Sequence, residues 1–260
     1  MVRKLYSHRE LIFSFVKRSL LSRYRGSFLG LLWSFINPLF MLLIYTITFS
    51  FLFKIRPTSG GDIPYTIFLF TGMVPWIAFS EGLSFSTGVI LANVNLVKKT
   101  VFPLEVLPVV ATLTGFIHSL FALIILLGGI LLMTHTLHWT LLLLPVVMIP
   151  QLIFTAGLCW LLASLGVFIR DMLQIIGLVL TGWMFMTPIM YPVELIPGRY
   201  RWIWTINPMY GVVEGYRDLL LHGASPHWKM LLLVTSAGVI FAILGYLWFM
   251  KTKKAFAEVV

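Results

Sequence analysis

Apolar residues along this 260-residue chain come in long runs, near 31–53, 64–86, 105–133, 141–168, 173–191 and 229–250, separated by short polar breaks. A helix needs about 20 apolar residues to cross the hydrocarbon core of a bilayer. The runs lack the period-two alternation of a barrel strand, so they predict an all-α membrane protein with six transmembrane helices. Six crossings return the chain to its starting side. The first run begins only at Leu31 and has the length of a full crossing, so a retained N-terminus is expected rather than a cleaved leader.

Two segments fit neither a crossing nor an ordinary loop. Over residues 9–23, a helix would place Ile12, Phe13, Phe15, Val16 and Leu20 on one arc, with Glu10, Ser14, Lys17 and Arg18 opposite. This predicts an amphipathic helix lying in the membrane interface. Residues 192–228 are too apolar for a solvated loop and too interrupted for a crossing, being broken at Pro192, Pro197 and Pro208. Asn207 followed by Pro208 reads as an N-cap with proline in the first turn, and Gly223 as a stop, so a short helix is expected over 208–222. Broken backbone at membrane depth survives only inside protein or beside water, which points to a re-entrant hairpin over 192–222. The resulting organisation is a tail and interfacial helix over 1–30, a transmembrane domain over 31–250 and a tail over 251–260.

Composition supports lipid as the main solvent, since 59% of residues are hydrophobic and only 11% charged. The formal charge of +10 is not spread out as a nucleic-acid surface would be. Thirteen of the nineteen basic residues fall on the side holding both termini, Lys98, Lys99 and Arg170, and six on the other. The positive-inside rule makes the richer side cytoplasmic, with both termini there. Cys159 stands alone in an apolar run, so no disulfide forms within one chain.

Chemistry-bearing residues are few. No GxxxxGK[ST] phosphate loop is present, so energy from ATP must come from another chain. Glu81 falls in the last turns of the second run, where its carboxylate is expected to snorkel to water. His118, well inside the third run, reads as a neutral partner in a helix-to-helix hydrogen bond. His135 and His138 lack further ligands for a metal. No grouping of serine, histidine and acid presents itself for catalysis.

Five stretches together resemble a known family: RYRGSFLGLLWSFINPLFMLLIYTITFSFLF at 23–53, FTGMVPWIAFS at 70–80, NLVKKTVFPLEVLPV at 95–109, GVFIRDM at 166–172, and TPIMYPVELIP with WTINPMYGVVEGYRDLLLHG across 187–223. In that order they resemble the membrane-spanning permease of a type-2 ABC exporter, in the branch that exports O-antigen, teichoic acid and capsule polysaccharides. VKKTVFP and YRDLL lean toward O-antigen.

The resemblance implies a homodimer of permeases in the bacterial inner membrane. Two cytoplasmic ATPase subunits would carry ATP and Mg, no cofactor would sit on this chain, and the substrate would be a polyprenyl-linked polysaccharide. It implies a coupling helix near 93–103, with Lys98 and Lys99 facing an acidic ATPase rim and Val97, Val101 and Phe102 as an apolar anchor. Arg170 and Asp171 would be a second ATPase contact, or else pair with each other to end a helix. Arg23, Tyr24 and Arg25 would meet the substrate diphosphate, although from the sequence alone ordinary binding of anionic membrane lipids is the simpler reading. The segment around Asn207, Pro208, Glu214, Arg217 and Asp218 would act as an outer gate, its charges paired with one another or across the dimer. Tyr45, Trp76, Trp183 and Tyr191 are the candidate channel aromatics. The rival from another class is a self-sufficient secondary transporter, which would need titratable groups at membrane depth.

Overall fold

The computed structural model describes residues 2–23, 25–48, 63–98, 102–193 and 196–259, and among these it is helical without strands. The helices are α1 (Val2–Ser7), α2 (Arg9–Arg23), α3 (Trp33–Tyr45), α4 (Tyr65–Gly88), α5 (Val94–Val97), α6 (Val106–Thr134), α7 (Leu144–Phe168), α8 (Met172–Phe185), α9 (Arg201–Ile206), α10 (Pro208–Arg217), α11 (Trp228–Thr252) and α12 (Phe256–Val259). Four stretches are long and apolar enough to cross a membrane: Tyr65–Gly88, Val106–Thr134, Trp139–Phe168 and Trp228–Val259. Two apolar helices are shorter, Trp33–Thr48 and Met172–Phe185.

The fifth run departs from expectation, because α8 ends at Phe185 rather than continuing to residue 191. Pro188 disfavours helical backbone at Thr187, and the Asn207 amide donates to the Met186 carbonyl and the Thr187 hydroxyl, holding the exit turn. The last residues of the first run, 49–53, lie outside the described residues.

α4 is the central helix, with 83% of its most apolar stretch buried against 28% for Trp228–Val259. Its small and hydroxyl-bearing residues, among them Thr66, Thr71, Gly72, Gly82 and Ser86, let neighbours approach from several sides. Around it pack α6, α7, α10 and α8. α7 and α11 meet backbone to backbone: a Cβ on Gly157 would fall 2.5 Å from backbone atoms of Phe241 and Ala242, and one on Gly245 would collide with the Gly157 carbonyl.

Both chain ends gather at the start of α6. Val16 of α2 is buried against Val106 and Val110, with Ile12, Phe15 and Leu20 beside it. The apolar arc of α2 is therefore largely spent on α6, while Phe13 stays 72% exposed. At the other terminus, Lys253 Nζ bonds Glu105 Oε2 at 2.6 Å. Phe256 is fully buried against Phe249. The expected C-terminal tail is thus a packed turn and helix.

Candidate functional site

The strongest polar constellation unites residues that the sequence reading treated separately. Glu81 sits about two turns before the end of α4, and His118 on α6 and Arg23 at the end of α2 both reach it. Arg23 Nη1 donates to Glu81 Oε2 at 2.9 Å and Nη2 to Oε1 at 3.2 Å. His118 Nδ1 lies 2.8 Å from Oε1, as a donor to the carboxylate. The Glu81 side chain is 20% exposed and that of His118 only 8%. Glu81 therefore does not snorkel to water; the arginine comes inward to it. A carboxylate withdrawn from water is costly unless its oxygens are paired, and the fork of Arg23 supplies that pairing. His118 makes a helix-to-helix hydrogen bond, as its place in the third run suggests, and its partner is the acid on the adjacent helix.

These three side chains close one end of a cleft of about 680 Å³ between α3 and α4. Phe70, Met73, Ile77 and Glu81 line it from α4, and Ile36, Met41 and Tyr45 from α3. Trp33 and Asn37 stand at its polar end, where Trp33 Nε1 donates to Ser27 Oγ at 2.9 Å.

At the opposite end of α4, α10 forms as the sequence predicts. Asn207 caps it by accepting from Met209 N at 3.1 Å, and Pro208 occupies the first turn. The helix widens into a π-turn over Asp218–His222 and stops at Gly223, which takes φ +62°. Asn207 Oδ1 also accepts from Trp183 Nε1 at 2.9 Å. α10 packs inward: Met209, Val212, Val213 and Tyr216 belong to the main core.

Arg217 seats α10 there at 1% exposure. It donates to Glu214 Oε1 at 2.7 Å and to the Ile189 carbonyl at 2.8 Å, and its guanidinium lies 3.7 Å from the Phe68 ring centre. Gly72 makes room, since a Cβ there would stand 3.3 Å from Arg217 Nη2 and as close to Ile189. Nearby, the Tyr65 hydroxyl donates to the Met190 carbonyl. Asp218 pairs with His227 at 2.9 Å rather than with Arg217.

Several expected site residues lie elsewhere than foreseen. Val97 is buried in the chain's own core beside Ile90 and Leu107, so it is no exposed anchor. Phe102 packs on Phe15 with ring centres 5.5 Å apart. Lys98 is exposed at the end of α5. Lys99, Val101 and Tyr24 lie outside the described residues. Arg25 is exposed. Arg170 and Asp171 are exposed at the α7–α8 connection, and neither takes part in an ion pair among the described residues.

Of the four aromatics, Trp76 is 4% exposed and packs within the core against Phe79, so it lines no opening. Tyr45 lines the α3–α4 cleft. Trp183 borders a second hollow with Met186, Ile206 and Pro208. Tyr191 bonds the Phe185 carbonyl and accepts from Trp204 Nε1 at 3.0 Å. Among the described residues no group of three or more His, Cys, Asp or Glu side chains is placed to hold a metal.

The model of the family described as ABC-2 type transporter matches residues 10–221. The chain is 34% identical over 264 residues to the O-antigen export system permease protein RfbA of Myxococcus xanthus, covering 99% of this chain and 98% of that protein. Its identity to the protein of the same name from Klebsiella pneumoniae is 32% over 252 residues, 96% and 95% of the two chains. Polysialic acid transport protein KpsM of Escherichia coli is 27% identical over 217 residues, 79% of each chain.

Proposed function

Because the chain belongs to the ABC-2 type transporter family, we propose that it is the permease subunit of an ATP-driven exporter that moves a lipid-linked polysaccharide, O-antigen by preference, across the bacterial inner membrane. The observation that carries this reading is end-to-end similarity to an O-antigen export permease at 34% identity. Export of teichoic acid or capsule polysaccharide by the same machinery is the neighbouring reading, favoured by the more distant likeness to a polysialic acid transport protein.

The permease needs a separate ATPase to bind ATP and Mg, since the chain has no phosphate loop of its own. Six crossings place both termini in the cytoplasm, with α3 and α8 as the short first and fifth crossings and α2 at the headgroup level. Two such chains pair to enclose the path. Exposed apolar side chains on α8, such as Leu178 at 77%, and on α3 supply surface for lipid and for that pairing. The connection around α5, with Lys98 and Lys99, meets the ATPase through charge rather than through an apolar plug, because Val97 and Phe102 are engaged internally. Arg170 and Asp171 form a second contact. Of the headgroup cluster, Arg25 is the exposed residue that meets the diphosphate. α9 and α10 form the re-entrant gate, and the Arg217 to Glu214 pair holds it closed.

Deletion of the chain together with its ATPase is expected to leave lipid-linked glycan on the cytoplasmic leaflet, and export to return only when both are supplied. Transport by the chain alone on an ion gradient would overturn the reading. For the gate, proteoliposomes carrying Arg217→Ala should leak small ions. Unchanged conductance in a folded variant removes the gate role.

A further inference from the structure

The α3–α4 cleft has the dimensions and polarity gradient of a lipid site. Its α4 wall runs from Phe70 to Glu81, a rise of about 16 Å at 1.5 Å per residue. One leaflet of hydrocarbon is about 15 Å thick. The wall is apolar over that length and becomes ionic only at Glu81, where Arg23 and His118 converge. Trp33, with its indole N–H bonded to Ser27, marks the headgroup level at that end. A cleft between apolar helices at membrane depth is filled by a hydrocarbon chain, because nothing else is present there in quantity. The head above it is specified by charge, since the mouth presents a guanidinium and a carboxylate side by side rather than a cationic patch.

We propose that the cleft between α3 and α4 holds one acyl chain of a phospholipid whose head carries both a phosphate and a primary ammonium, the phosphate lying against Arg23 and the ammonium against Glu81. The carboxylate has capacity for it: Arg23 and His118 supply three hydrogen bonds to its two oxygens, which together have about four acceptor positions. Because Arg23 already pairs Glu81, a purely anionic head would add a negative charge that nothing at the mouth balances. A quaternary ammonium has no N–H to donate. The lipid would fill the space that side chains leave open and hold α3 at a distance from α4. The inference depends on the chain's membrane placement but not on the identity of its cargo, so its failure leaves the export reading standing.

The test reads lipid retention by the full chain. The protein is assembled in nanodiscs of equal phosphatidylethanolamine, phosphatidylglycerol and phosphatidylcholine, then extracted and weighed by native mass spectrometry. The wild type is expected to keep one phosphatidylethanolamine, with about a tenfold preference over the other two, the scale of one charge-assisted hydrogen bond. Glu81→Gln should reduce that preference to parity. Met41→Trp, which fills the cleft from its exposed wall, should abolish retention, whereas Leu39→Trp, exposed on the same helix away from the cleft, should leave it unchanged. Equal retention of the three lipids by the wild type, or undiminished retention by Met41→Trp, overturns the proposal.

Discussion

The α7–α11 contact and the α3–α4 contact both join apolar helices, yet they are built in opposite ways. Along α7–α11, Gly157, Gly238 and Gly245 strip the surface to backbone, and the two helices touch with no room for a methyl group. Along α3–α4, bulky residues such as Tyr45, Phe70 and Met73 stand between the helices and leave a cleft. Lipid tails are as apolar as leucine, so burial alone does not drive helices together in a membrane; close van der Waals approach does. The glycine contact therefore fixes one geometry, whereas the aromatic contact leaves room for a guest between α3 and α4. α10 belongs with the tight side. Gly72 again clears the space, but there the space is taken by a buried charge, Arg217, with its partners around it.

That contrast is most severely tested by Arg217→Ala, which leaves Glu214 and the Ile189 carbonyl without their donor. Removing one partner of a buried pair costs about 3–5 kcal/mol. The expected result is a marked drop in the thermal midpoint in detergent, with early protease cleavage near α9. A midpoint equal to wild type would mean that α10 is held by apolar contacts alone.

Gly245→Ala comes next. One methyl group against the Gly157 carbonyl should destabilise the chain by about 1–3 kcal/mol, read as a lower unfolding midpoint. A neutral result would show that α11 can slide on α7.

Glu105→Gln is a smaller perturbation at the start of α6. Burial, the largest single influence, raises the Glu105 pKa, but the hydrogen bond from Lys253 and the charges of Lys253 and Lys4 outweigh it and hold the carboxyl below its ordinary value of 4.5. A carboxyl with a depressed folded-state pKa stabilises above its unfolded pKa and loses that contribution as pH falls through the folded one. Wild type should thus exceed Glu105→Gln by about 1 kcal/mol at neutral pH, with the gap closing as pH falls below 4.5. A gap independent of pH would assign the effect to packing.

The smallest effect has the opposite sign. Gly128 on α6 has nothing within 4 Å of where a Cβ would stand. Gly128→Ala should be neutral or stabilising by up to about 1 kcal/mol, measured by the same unfolding midpoint. Destabilisation would locate a close neighbour outside the single chain, such as a second copy.

Hydrophobic periodicity alone carried much of the architecture. α2 spans Arg9–Arg23 as its arc predicted, and α10 begins where Asn207 and Pro208 signal a cap and first turn. Those features depend on neighbours in sequence, and local backbone physics decides them. The site was less legible. Glu81, His118 and Arg23 lie on three different helices, 37 and 58 residues apart in their contacts with the acid. The available signal was energetic: a carboxylate inside an apolar run requires a cation, and the arginine cluster at 23–25 stands at the matching end of the preceding crossing.

By itself, then, the sequence determined that this protein is helical and lives in lipid, and where most of its helices begin and end, because run length and cap chemistry are local. Only the tertiary structure decided that Val97 and Trp76 turn inward, and that Arg23 folds back onto Glu81. Each of those outcomes depends on which helix stands next to which. That adjacency is set by glycines, hydroxyls and single charges, which a hydropathy pattern averages away.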